Sequence, residues 1–578
     1  KGDGDNYYLK EADQPDNTFW HGKLAEEVNL AGKPVEKETL ESVLSGHLGQ
    51  ETIKGKRTNH KSGFDLTFSA PKSISILALA GGETRLIDAQ NNAVKFALAE
   101  LEKDVAQVKV THEKGIQEYE NTDAMMFAVI RHKTSRENDM QLHSHALAAN
   151  MTRDKEGELR ALSTCLKQRG GVINGTGERI YNFQKYYTSL HQSHLAKSAE
   201  SLGFSMRGVG NGQFEVVGVS ESLIDAFSTR KKQIDQQALD FGNTQTARDT
   251  AALDTRKTKT YQSHETLNHQ WHTKIREHGH EPAQLVSQAK RASTQDVTPS
   301  SQEAKASFNR AIEHLGQYKT TLHIEKIIEI AAADFTLGKT QLNALDLKQA
   351  ADELIKDGQL IALHNKGQYT SKALLDNERA LMDVTQGRAH HMRTHVNPGV
   401  LNQLNASHKQ QQILTDVYQS TKQFHIVNVH GDSKPMAQHL LNDGNHSHKR
   451  VHLVSASARD KQESMESIQR KSHTVSAWAS QLFSSEHRHT THSLLNGDLP
   501  LTNKDVLLID EANKLSANEL LALSEKAKQS NSKVVMLNRV TNRQGFKAHN
   551  AIELYRKGHV QSHTWVNGQI QDSQVNLH

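Results

Sequence analysis

Two strand-like segments separated by a short polar stretch constrain the fold of this chain more than any other feature. Residues 125–132 form a nearly continuous apolar run, and residues 141–150 alternate before they become apolar. Both patterns are typical of β-strands. Residues 133–139 between them are polar and turn-prone, which favours a hairpin connection. The sequence therefore predicts an antiparallel pair of strands within a larger sheet.

Histidines occupy one face of this predicted hairpin. His143 and His145 are two residues apart and project from the same side of their strand, and Leu147 and Ala149 continue that side into the interior. His132 ends the preceding strand, so the hairpin brings it opposite the other two. The sequence therefore predicts a face on which three imidazoles meet.

Three neutral imidazoles can hold one divalent cation and leave coordination positions open, so that a phosphate oxygen can bind and be polarised. A purely structural metal site more often has a fourth protein ligand. The chain contains 35 histidines, so solvated side chains also explain an isolated histidine or a chance His-x-His pair. The third histidine on a neighbouring predicted strand favours the metal-site interpretation.

A further strand-like segment, residues 63–73, supplies two polar candidates. Asp65 lies within the alternating run, where a carboxylate can accept the ring N–H of a metal-bound histidine or take the proton of an attacking hydroxyl. The alternative is a carboxylate that caps a nearby turn. Lys72 follows Pro71 where a helix is predicted to begin, so its ammonium and the free backbone N–H groups are candidates for binding a phosphate. A solvated lysine is the alternative.

Composition limits the remaining classes of function. The 578 residues predict several domains, and the net charge of +4 means that DNA binding would depend on local basic patches. The single cysteine, Cys165, excludes internal disulfides and suits a reducing cytoplasm. No apolar run approaches the ~20 residues of a transmembrane helix, and no signal peptide is evident.

The chain is predicted to consist of two parts joined by a linker. Strand-like and helix-like patterns followed by polar helices predict a first domain at residues 1–283. Residues 284–307 are rich in Ser, Thr, Gln and Ala and are interpreted as the linker. Residues 308–400 predict a helical and winged module, and residues 401–578 predict a second α/β domain.

Two clusters in the first part are candidates for contacting nucleic acid. Basic residues in the helical segment 223–279 can line a DNA groove, although a solvated, charge-rich helix face is the default explanation; they are Lys231, Lys232, Arg248, Arg256, Lys257 and Lys259. An aromatic cluster beside Lys185 can stack on bases, although core packing explains it at least as well; it consists of Tyr181, Phe183, Tyr186 and Tyr187.

The last part predicts a RecA-like lobe with a decayed nucleotide site. Residues 424–435 resemble a strand that runs into a phosphate loop, but a working loop needs Gly-x-x-x-x-Gly-Lys-Ser/Thr and only Gly431 is present. Residues 506–512 form an apolar strand that ends in Asp510 and Glu511, an arrangement that holds Mg-ATP in helicases. We predict no ATP-binding residues and no ATPase activity, with this acidic pair as the one contrary feature.

Three segments together resemble the MobF family of conjugative relaxases, and in particular the relaxase-helicases of F-like plasmids. They are Asp65 to Ser73 (DLTFSAPKS), His132 to His145 (HKTSRENDMQLHSH) and Ala252 to Lys257 (ALDTRK), in the same order and at similar separations as in that family. The resemblance extends weakly through the rest of the chain. Such a match is more specific than any single motif.

The resemblance implies an α+β HUH-type relaxase domain, a central antiparallel sheet with helices, followed by an α/β RecA-like vestigial helicase domain. It implies that His132, His143 and His145 are the metal ligands, with Mg or Mn as the usual ion, although three imidazoles intrinsically favour transition metals. Asp65 would be their orienting or basic partner. Arg136 is a candidate for holding the phosphate, since guanidinium suits bidentate contact, and a solvated loop arginine is the alternative. The family also clamps single-stranded DNA with helices near Arg256 and Lys257, which favours the DNA-binding interpretation of the basic cluster.

The tyrosines depart from the family pattern. Relatives commonly have two Tyr-Tyr pairs near the N-terminus, the first supplying the principal nucleophile, whereas this chain has only Tyr7-Tyr8 and begins at Lys1. Its position relative to Trp20 makes it resemble the second pair, so we expect a segment to precede Lys1. Tyr7 and Tyr8 are nucleophile candidates, and aromatic packing or base stacking is the alternative. A tyrosine is weakly nucleophilic at neutral pH because its pKa is about 10, so a nearby cation or base must favour the phenolate.

The resemblance implies site- and strand-specific nicking at a plasmid origin of transfer, with a 5′-phosphotyrosyl link and a released 3′ hydroxyl. The implied partners are single-stranded plasmid DNA, relaxosome accessory proteins and the coupling protein of a type IV secretion channel. The protein would act in the donor cytoplasm and be transported to the recipient with the DNA. Two alternatives stay open: a DNA-binding and secretion-signal module without nicking, and a rolling-circle replication initiator.

Overall fold

A computed structural model describes most of the chain, in two compact units. The described residues are 17–55, 61–111, 117–164, 166–168, 171–173, 175–210, 213–240, 242, 245–255, 262–293, 301–316, 321–333, 344–363, 367–385, 408–430, 450–455, 488–497, 500–540 and 560–566. Contacts divide the chain into a first unit, residues 1–309 with 325–352, and a second unit, residues 310–324 with 353–578. Among the described residues, no helix combines the length and the apolar character needed to cross a bilayer.

Short strands and amphipathic helices alternate in the first unit. Its strands are β1 Thr18–His21, β2 His47–Leu48, β3 Glu51–Thr52, β4 Gly63–Ser69, β5 Gln107–Thr111, β6 Gln117–Asn121, β7 Phe127–Thr134, β8 Met140–Ala149, β9 Thr152–Arg153, β10 Leu159–Arg160, β11 Leu166–Gln168, β12 Gly171–Ile173, β13 Met206–Gly210 and β14 Gln213–Val216. Its helices are α1 Lys23–Glu27, α2 Lys37–Leu44, α3 Lys72–Leu79, α4 Arg85–Val105, α5 Thr176–Asn182, α6 Gln184–Ser201, α7 Glu221–Ala226, α8 Thr229–Asp240, α9 Gln245–Asp254, α10 His264–Glu277 and α11 Leu285–Arg291.

A four-stranded antiparallel sheet in the order β1-β7-β8-β4 organises this unit. Strand β7 is central and is buried along most of its length. One face of the sheet packs on a core that contains Trp20, Leu147 and Ala149. Residues of the opposite face, such as Leu142, belong to a core with α3, α4 and α6. The two faces follow from the side-chain period of two in each strand.

Helix α4 illustrates how sequence spacing sets this packing. Its 21 residues bury a stripe at three- and four-residue intervals, and that stripe consists of Leu86, Ala89, Ala93, Val94, Ala97, Leu98, Leu101 and Val105. The chain becomes extended at Ala106, where the helix ends. The helix packs on the side of the sheet that carries Leu142, and His143 and His145 lie on the opposite side, near the start of β8.

The segment predicted to be a linker is partly helical and partly buried. Helix α11 lies within residues 284–307, and Leu285 and Ala289 belong to the same core as Trp271 and Ile275 of α10. The linker interpretation was therefore wrong for these residues. Two apolar side chains four residues apart are enough to dock two helical turns, and the polar composition around them concealed this spacing.

Helices α12 Ser301–Gly316, α13 Ile324–Ala333 and α14 Ala344–Lys356 follow. The sequence predicted a helical and winged module at residues 308–400, and the described part of that range contains these helices and the small sheet given next. The second unit contains β15 Leu322–His323, β16 Leu360–Ala362 and β17 Gln368–Ser371, which form a three-stranded antiparallel sheet in the order β15-β17-β16. Its other elements are α15 Lys372–Thr385, α16 His408–Gln419, β18 Phe424–His430, β19 Arg450–Ser455, β20 Arg488–Thr490, α17 Thr491–Asn496, β21 Asp505–Ile509, α18 Ala517–Ser530, β22 Lys533–Val540 and β23 Gln561–Val566.

A six-stranded parallel sheet in the order β20-β19-β21-β22-β18-β23 dominates the second unit. Helices α15 and α18 pack on one face, through Leu381 and Leu523 among others. Helix α16 packs on the other face through Leu414 and Val417. Apolar runs at residues 506–509 in β21 and 534–537 in β22 are typical of strands that are covered on both faces. The predicted α/β architecture of this part is confirmed, while most of the predicted phosphate loop, including Gly431, lies outside the described residues.

A buried glutamate in the first unit, Glu325, is expected to make the stability of the protein depend on pH. Burial, helped by the nearby Asp104, raises the pKa of Glu325 to about 7, although a backbone hydrogen bond, Arg179 and Lys326 each lower it. The pKa of Glu325 is higher in the folded protein than its ordinary value of 4.5 in the unfolded chain. Its contribution to folding stability is therefore fully present below about pH 4.5 and is lost as the pH rises through 7. Glu325→Gln should therefore stabilise the protein at about pH 8 by roughly 2 kcal/mol, and the gain should shrink near pH 5.

Urea unfolding of the parent and the variant at the two pH values measures this difference. Glu329→Gln is the matched control, because Glu329 lies on the same helix and pairs with Lys326 at 2.6 Å. A Glu325→Gln gain that is equal at both pH values would contradict the prediction.

Candidate metal centre

The antiparallel pairing of β7 with β8 brings the three predicted histidines together. His132 is the Cα partner of His143, and Ile130 is the partner of His145. The three imidazole centroids lie 5.1 to 5.3 Å apart. One nitrogen from each ring lies within 4.8 Å of the others, which is a spacing that one metal ion can bridge. The predicted three-histidine face is present.

The exposure of the residues on the histidine face changes along β8. His132 is almost fully buried at 1% exposure, whereas His143 and His145 are half-buried. Leu147 and Ala149 on the same face are buried in the core, as the sequence predicted. The histidine end of the face is therefore open to a substrate and the other end is anchored by packing.

Strand β4 supplies a carboxylate to this face. Thr67 is the Cα partner of His145, and Asp65 lies two residues earlier on the same side. The two Asp65 carboxylate oxygens lie 2.9 and 3.2 Å from His145 Nδ1, and Thr67 Oγ1 lies 3.3 Å from it. A carboxylate accepts the Nδ1 proton, which leaves the Nε2 lone pair for a metal. The contact is the one expected from the sequence, and Thr67 was missed although its i+2 spacing from Asp65 identified the face.

His143 is oriented by its own strand. Its Nδ1 lies 2.9 Å from the backbone oxygen of Gln141. A carbonyl oxygen only accepts, so Nδ1 carries the proton and Nε2 is the nitrogen that could coordinate a metal. Two of the three imidazoles therefore have a tautomer set by the fold, and the donor set of three nitrogens suits a divalent transition metal.

Lys72 forms hydrogen bonds with residues at the start of β8. The ammonium donates to Met140 O and to Gln141 Oε1, both at 2.7 Å. Burial lowers its pKa to about 8, partly offset by Asp139 and Glu215. The backbone N–H groups at the start of α3, from Lys72 and Ser73, donate to the Glu215 carboxylate at 3.3 and 2.8 Å. In this structure the backbone N–H groups at that helix start are therefore bound to a carboxylate of the protein.

The remaining candidates are distributed around the site. Arg136 lies in the turn between β7 and β8, at the tip of the hairpin that carries the histidines. Tyr181 is 73% exposed and lines a cleft of ≈ 850 Å³ together with Phe64, Asp65 and Thr67. Lys185 is exposed, and its Nζ lies 3.9 Å from Glu329 Oε1. The cleft thus runs from the edge of the histidine face to an exposed aromatic ring.

Other predicted residues do not join this cleft or are not described. Phe183 and Tyr186 are buried, so core packing explains them, and Tyr187 is largely buried where it reaches the cleft. Arg248 pairs with Asp235 at 2.8 Å, while Lys231 and Lys232 are exposed. The candidates Tyr7, Tyr8, Arg256, Lys257 and Lys259 lie outside the described residues.

Residues 1–278 match the family model described as TrwC relaxase, over all the strands that carry the histidines. This part of the chain belongs to the TrwC relaxase family. Residues 405–539 match the family model described as an AAA domain, which agrees with the parallel sheet of the second unit. The predicted order of a relaxase domain followed by a helicase-like domain is confirmed.

Two curated relatives that match this chain are much longer proteins. The multifunctional conjugation protein TraI of Escherichia coli strain K12 is 28% identical over 550 residues, which cover 92% of this chain and 29% of that protein. A second Escherichia coli TraI is 32% identical over 382 residues, covering 64% of this chain and 21% of that protein. The chain spans less than a third of the length of these relatives.

Solved structures of TrwC resemble the relaxase domain. The metal-bound conjugative relaxase TrwC in complex with oriT DNA is 30% identical, covers 49% of this chain and 96% of that chain, and has a TM-score of 0.43. The metal-free complex of TrwC with oriT DNA is also 30% identical, covers 49% and 95%, and has a TM-score of 0.42.

The Asp65 contact predicts an effect on metal affinity. Asp65→Ala removes the acceptor that holds the His145 proton at Nδ1, so Mn²⁺ binding should weaken by about 10- to 100-fold. Isothermal titration with Mn²⁺ measures this, and Asp88→Ala, which removes an exposed carboxylate on α4, is the control. Unchanged affinity in Asp65→Ala would show that the carboxylate does not orient a ligand.

Proposed function

We propose that this protein is a conjugative DNA relaxase that nicks one strand of plasmid DNA at the origin of transfer by tyrosine transesterification. The convergence of three imidazoles on the open end of the β7–β8 face, with Asp65 behind one of them, carries this proposal. The relaxase family match supports it, as do the relatives named conjugation protein TraI and relaxase TrwC in complex with oriT DNA.

His132, His143 and His145 would hold a divalent cation. When bound, the ion would polarise a non-bridging phosphate oxygen and neutralise charge that develops during displacement. Mg or Mn is proposed as the working ion, although three imidazoles intrinsically favour transition metals. Asp65 would keep the His145 proton on Nδ1, so that Nε2 stays available.

A tyrosine oxygen, from Tyr7 or Tyr8, would attack the scissile phosphorus. The Tyr O–P bond forms and the P–O3′ bond breaks, which leaves the 5′ phosphate on the protein. The phenolic proton passes to a base and the departing 3′ oxygen gains a proton, so the step balances. Phenolate is a competent leaving group, and the reverse reaction can therefore rejoin the strand. Arg136 at the hairpin tip is the proposed phosphate contact.

The cleft lined by Tyr181 and Phe64 is the proposed path of the single strand. Base stacking on an exposed aromatic ring is tolerant of sequence, and Lys185, Arg256 and Lys257 are the proposed phosphate-binding cations. Relaxosome accessory proteins and a type IV secretion coupling protein are the proposed protein partners. We also propose action in the donor cytoplasm and transport of the protein with the DNA.

A covalent adduct tests the enzymatic function. Incubation with single-stranded oligonucleotides that tile an origin of transfer, with Mg²⁺ or Mn²⁺, should give a metal-dependent protein–DNA species on a denaturing gel. The double variant His143→Ala/His145→Ala should reduce it by at least about 100-fold, because the cation loses two of three ligands. His269→Ala on the exposed side of α10 is the control and should leave it unchanged. Metal-independent adduct formation in the double variant would contradict the mechanism.

The same assay decides between the enzyme and its alternatives. Tyr7→Phe and Tyr8→Phe assign the nucleophile, since only the attacking residue requires its hydroxyl. Binding of the oligonucleotides without any adduct would favour a DNA-binding and secretion-signal module. Adduct formation on a replication origin in preference to an origin of transfer would favour a rolling-circle initiator.

We propose that the second unit binds single-stranded DNA and does not hydrolyse ATP. Only Gly431 of the required glycine and lysine pattern is present in the sequence, and Glu511 of the acidic pair forms an ion pair with Lys514. A malachite-green assay should detect no phosphate release above background, with or without single-stranded DNA. Turnover stimulated by DNA would overturn this proposal.

A further inference from the structure

The strand that carries two of the histidines is irregular directly before them. Between the Cα pairs His132↔His143 and Thr134↔Met140, β7 has one residue, Lys133, while β8 has two. This is a β-bulge at Gln141–Leu142, and bulges re-aim the side chains that follow them. His143 is the first residue after the bulge, so its direction depends on how the bulge is held.

Strand β4 cannot hold the bulge through regular pairing. Its last Cα pair is Ser69↔His143, and Pro71 follows, which has no N–H to donate. The contact continues for one more residue, where Ala70 N donates to Leu142 O at 2.9 Å. Beyond this point the backbone groups of residues 140–142 must find other partners.

Helix α3 provides those partners from one of its faces. Ser75 Oγ accepts the N–H of Leu142 at 3.0 Å, and the Lys72 ammonium donates to Met140 O and Gln141 Oε1 at 2.7 Å each. Lys72 and Ser75 are three residues apart and so share a helix face. The Gln141 amide also donates to Ala70 O at 3.1 Å. Both residues of the bulge and the residue before it are therefore tied to the start of α3.

These hydrogen bonds connect helix α3 to His143, a candidate metal ligand. Gln141 offers its backbone oxygen to His143 Nδ1 at 2.9 Å, while its side chain is held by Lys72 and Ala70. We propose that Lys72 is a positioning residue that fixes the Gln141 peptide and thereby aims His143 Nε2 at the metal site. This inference rests on the proposed function of the three histidines, and it replaces the phosphate-binding role that the sequence suggested for Lys72.

The partial burial of the Lys72 ammonium supports a positioning role for this side chain and not simply a packing role. Lys72 is half-buried and hydrogen-bonded inside the protein, and taking a charge out of water is costly unless its hydrogen bonds are good. An apolar side chain would fill the same space without that cost. The lysine instead bridges an acceptor on Met140, directly before the bulge, and one on Gln141, within it, which an apolar side chain cannot do.

The test compares Lys72→Met with Lys290→Met. Methionine preserves an unbranched chain of similar length and removes the donors. Lys290 is a matched control, because it is also half-buried, pairs with Glu83 at 3.2 Å and lies over the Phe204 ring in the same core as α3. Thermal unfolding shows whether each variant folds. Titration with Mn²⁺ alone, without DNA, gives the affinity of the metal site.

We expect Lys72→Met to bind Mn²⁺ about 10-fold more weakly than the parent. Loss of a residue that orients a metal-binding histidine commonly has an effect of this size. Adduct formation should recover at saturating Mn²⁺, and affinity for the oligonucleotide should not change. Lys290→Met should match the parent in all three measurements. Lys72→Arg, which retains donors, should recover part of the metal affinity and serves if the methionine variant does not fold.

Three outcomes would overturn the inference. These are parental Mn²⁺ affinity in a folded Lys72→Met, an equal loss in Lys290→Met, or a loss of DNA affinity that excess metal does not restore. The last outcome would return Lys72 to a phosphate-binding role. If the parent protein itself binds no Mn²⁺, the proposed function fails. This failure can be told apart from failure of the inference on Lys72, because it is seen in the parent protein alone.

Discussion

The pairing register of β7 with β8 is the interaction on which the rest of the site depends. A shift of one residue would turn His143 and His145 toward the helices and expose Leu142 in their place, because side chains alternate between the faces of a strand. Ile130, Leu147 and Ala149 prevent this shift, since they are buried in one core on the histidine side of the sheet. The hydrophobic core that stabilises the hairpin and the cluster that could hold a metal are therefore two ends of one face.

Hydrogen bonds outside the cluster then set how the imidazoles point. Asp65 and the Gln141 backbone oxygen each contact an Nδ1 atom, and this leaves Nε2 of each ring as the nitrogen that could coordinate a metal. The hairpin tip is also fastened to helices from later in the chain. Trp271 Nε1 donates to Asn138 O at 2.8 Å, and Asp139 accepts from the Thr229 N–H at 2.9 Å. The site is thus held in place before any substrate arrives, which reduces the reorganisation that catalysis would require.

Local alternation was sufficient to predict much of this arrangement. The hairpin, the shared face of His132, His143 and His145, and the strand position of Asp65 all follow from a period of two and a polar turn. The helix at Lys72 followed from Pro71. In the second unit, continuous apolar runs predicted buried parallel strands such as β21.

Contacts between residues far apart in the sequence could not be predicted in this way. Glu215 occupies the start of α3 from 142 residues away, and no local pattern signals that pairing. The bulge at Gln141–Leu142 has no glycine or proline to mark it, so a regular strand was the simpler expectation. The partners of Lys72 could not be predicted for the same reason, since its acceptors on β8 become neighbours only when the sheet forms.

X-ray absorption at the metal edge tests the central claim most directly. The protein is loaded with one equivalent of Zn²⁺ or Co²⁺ in the absence of DNA, and the fine structure is analysed for imidazole scattering. The account predicts three histidine nitrogens at about 2.0 to 2.1 Å, with the remaining positions filled by light atoms from solvent. A best fit with one imidazole or none would contradict it, because the three rings would then not share an ion.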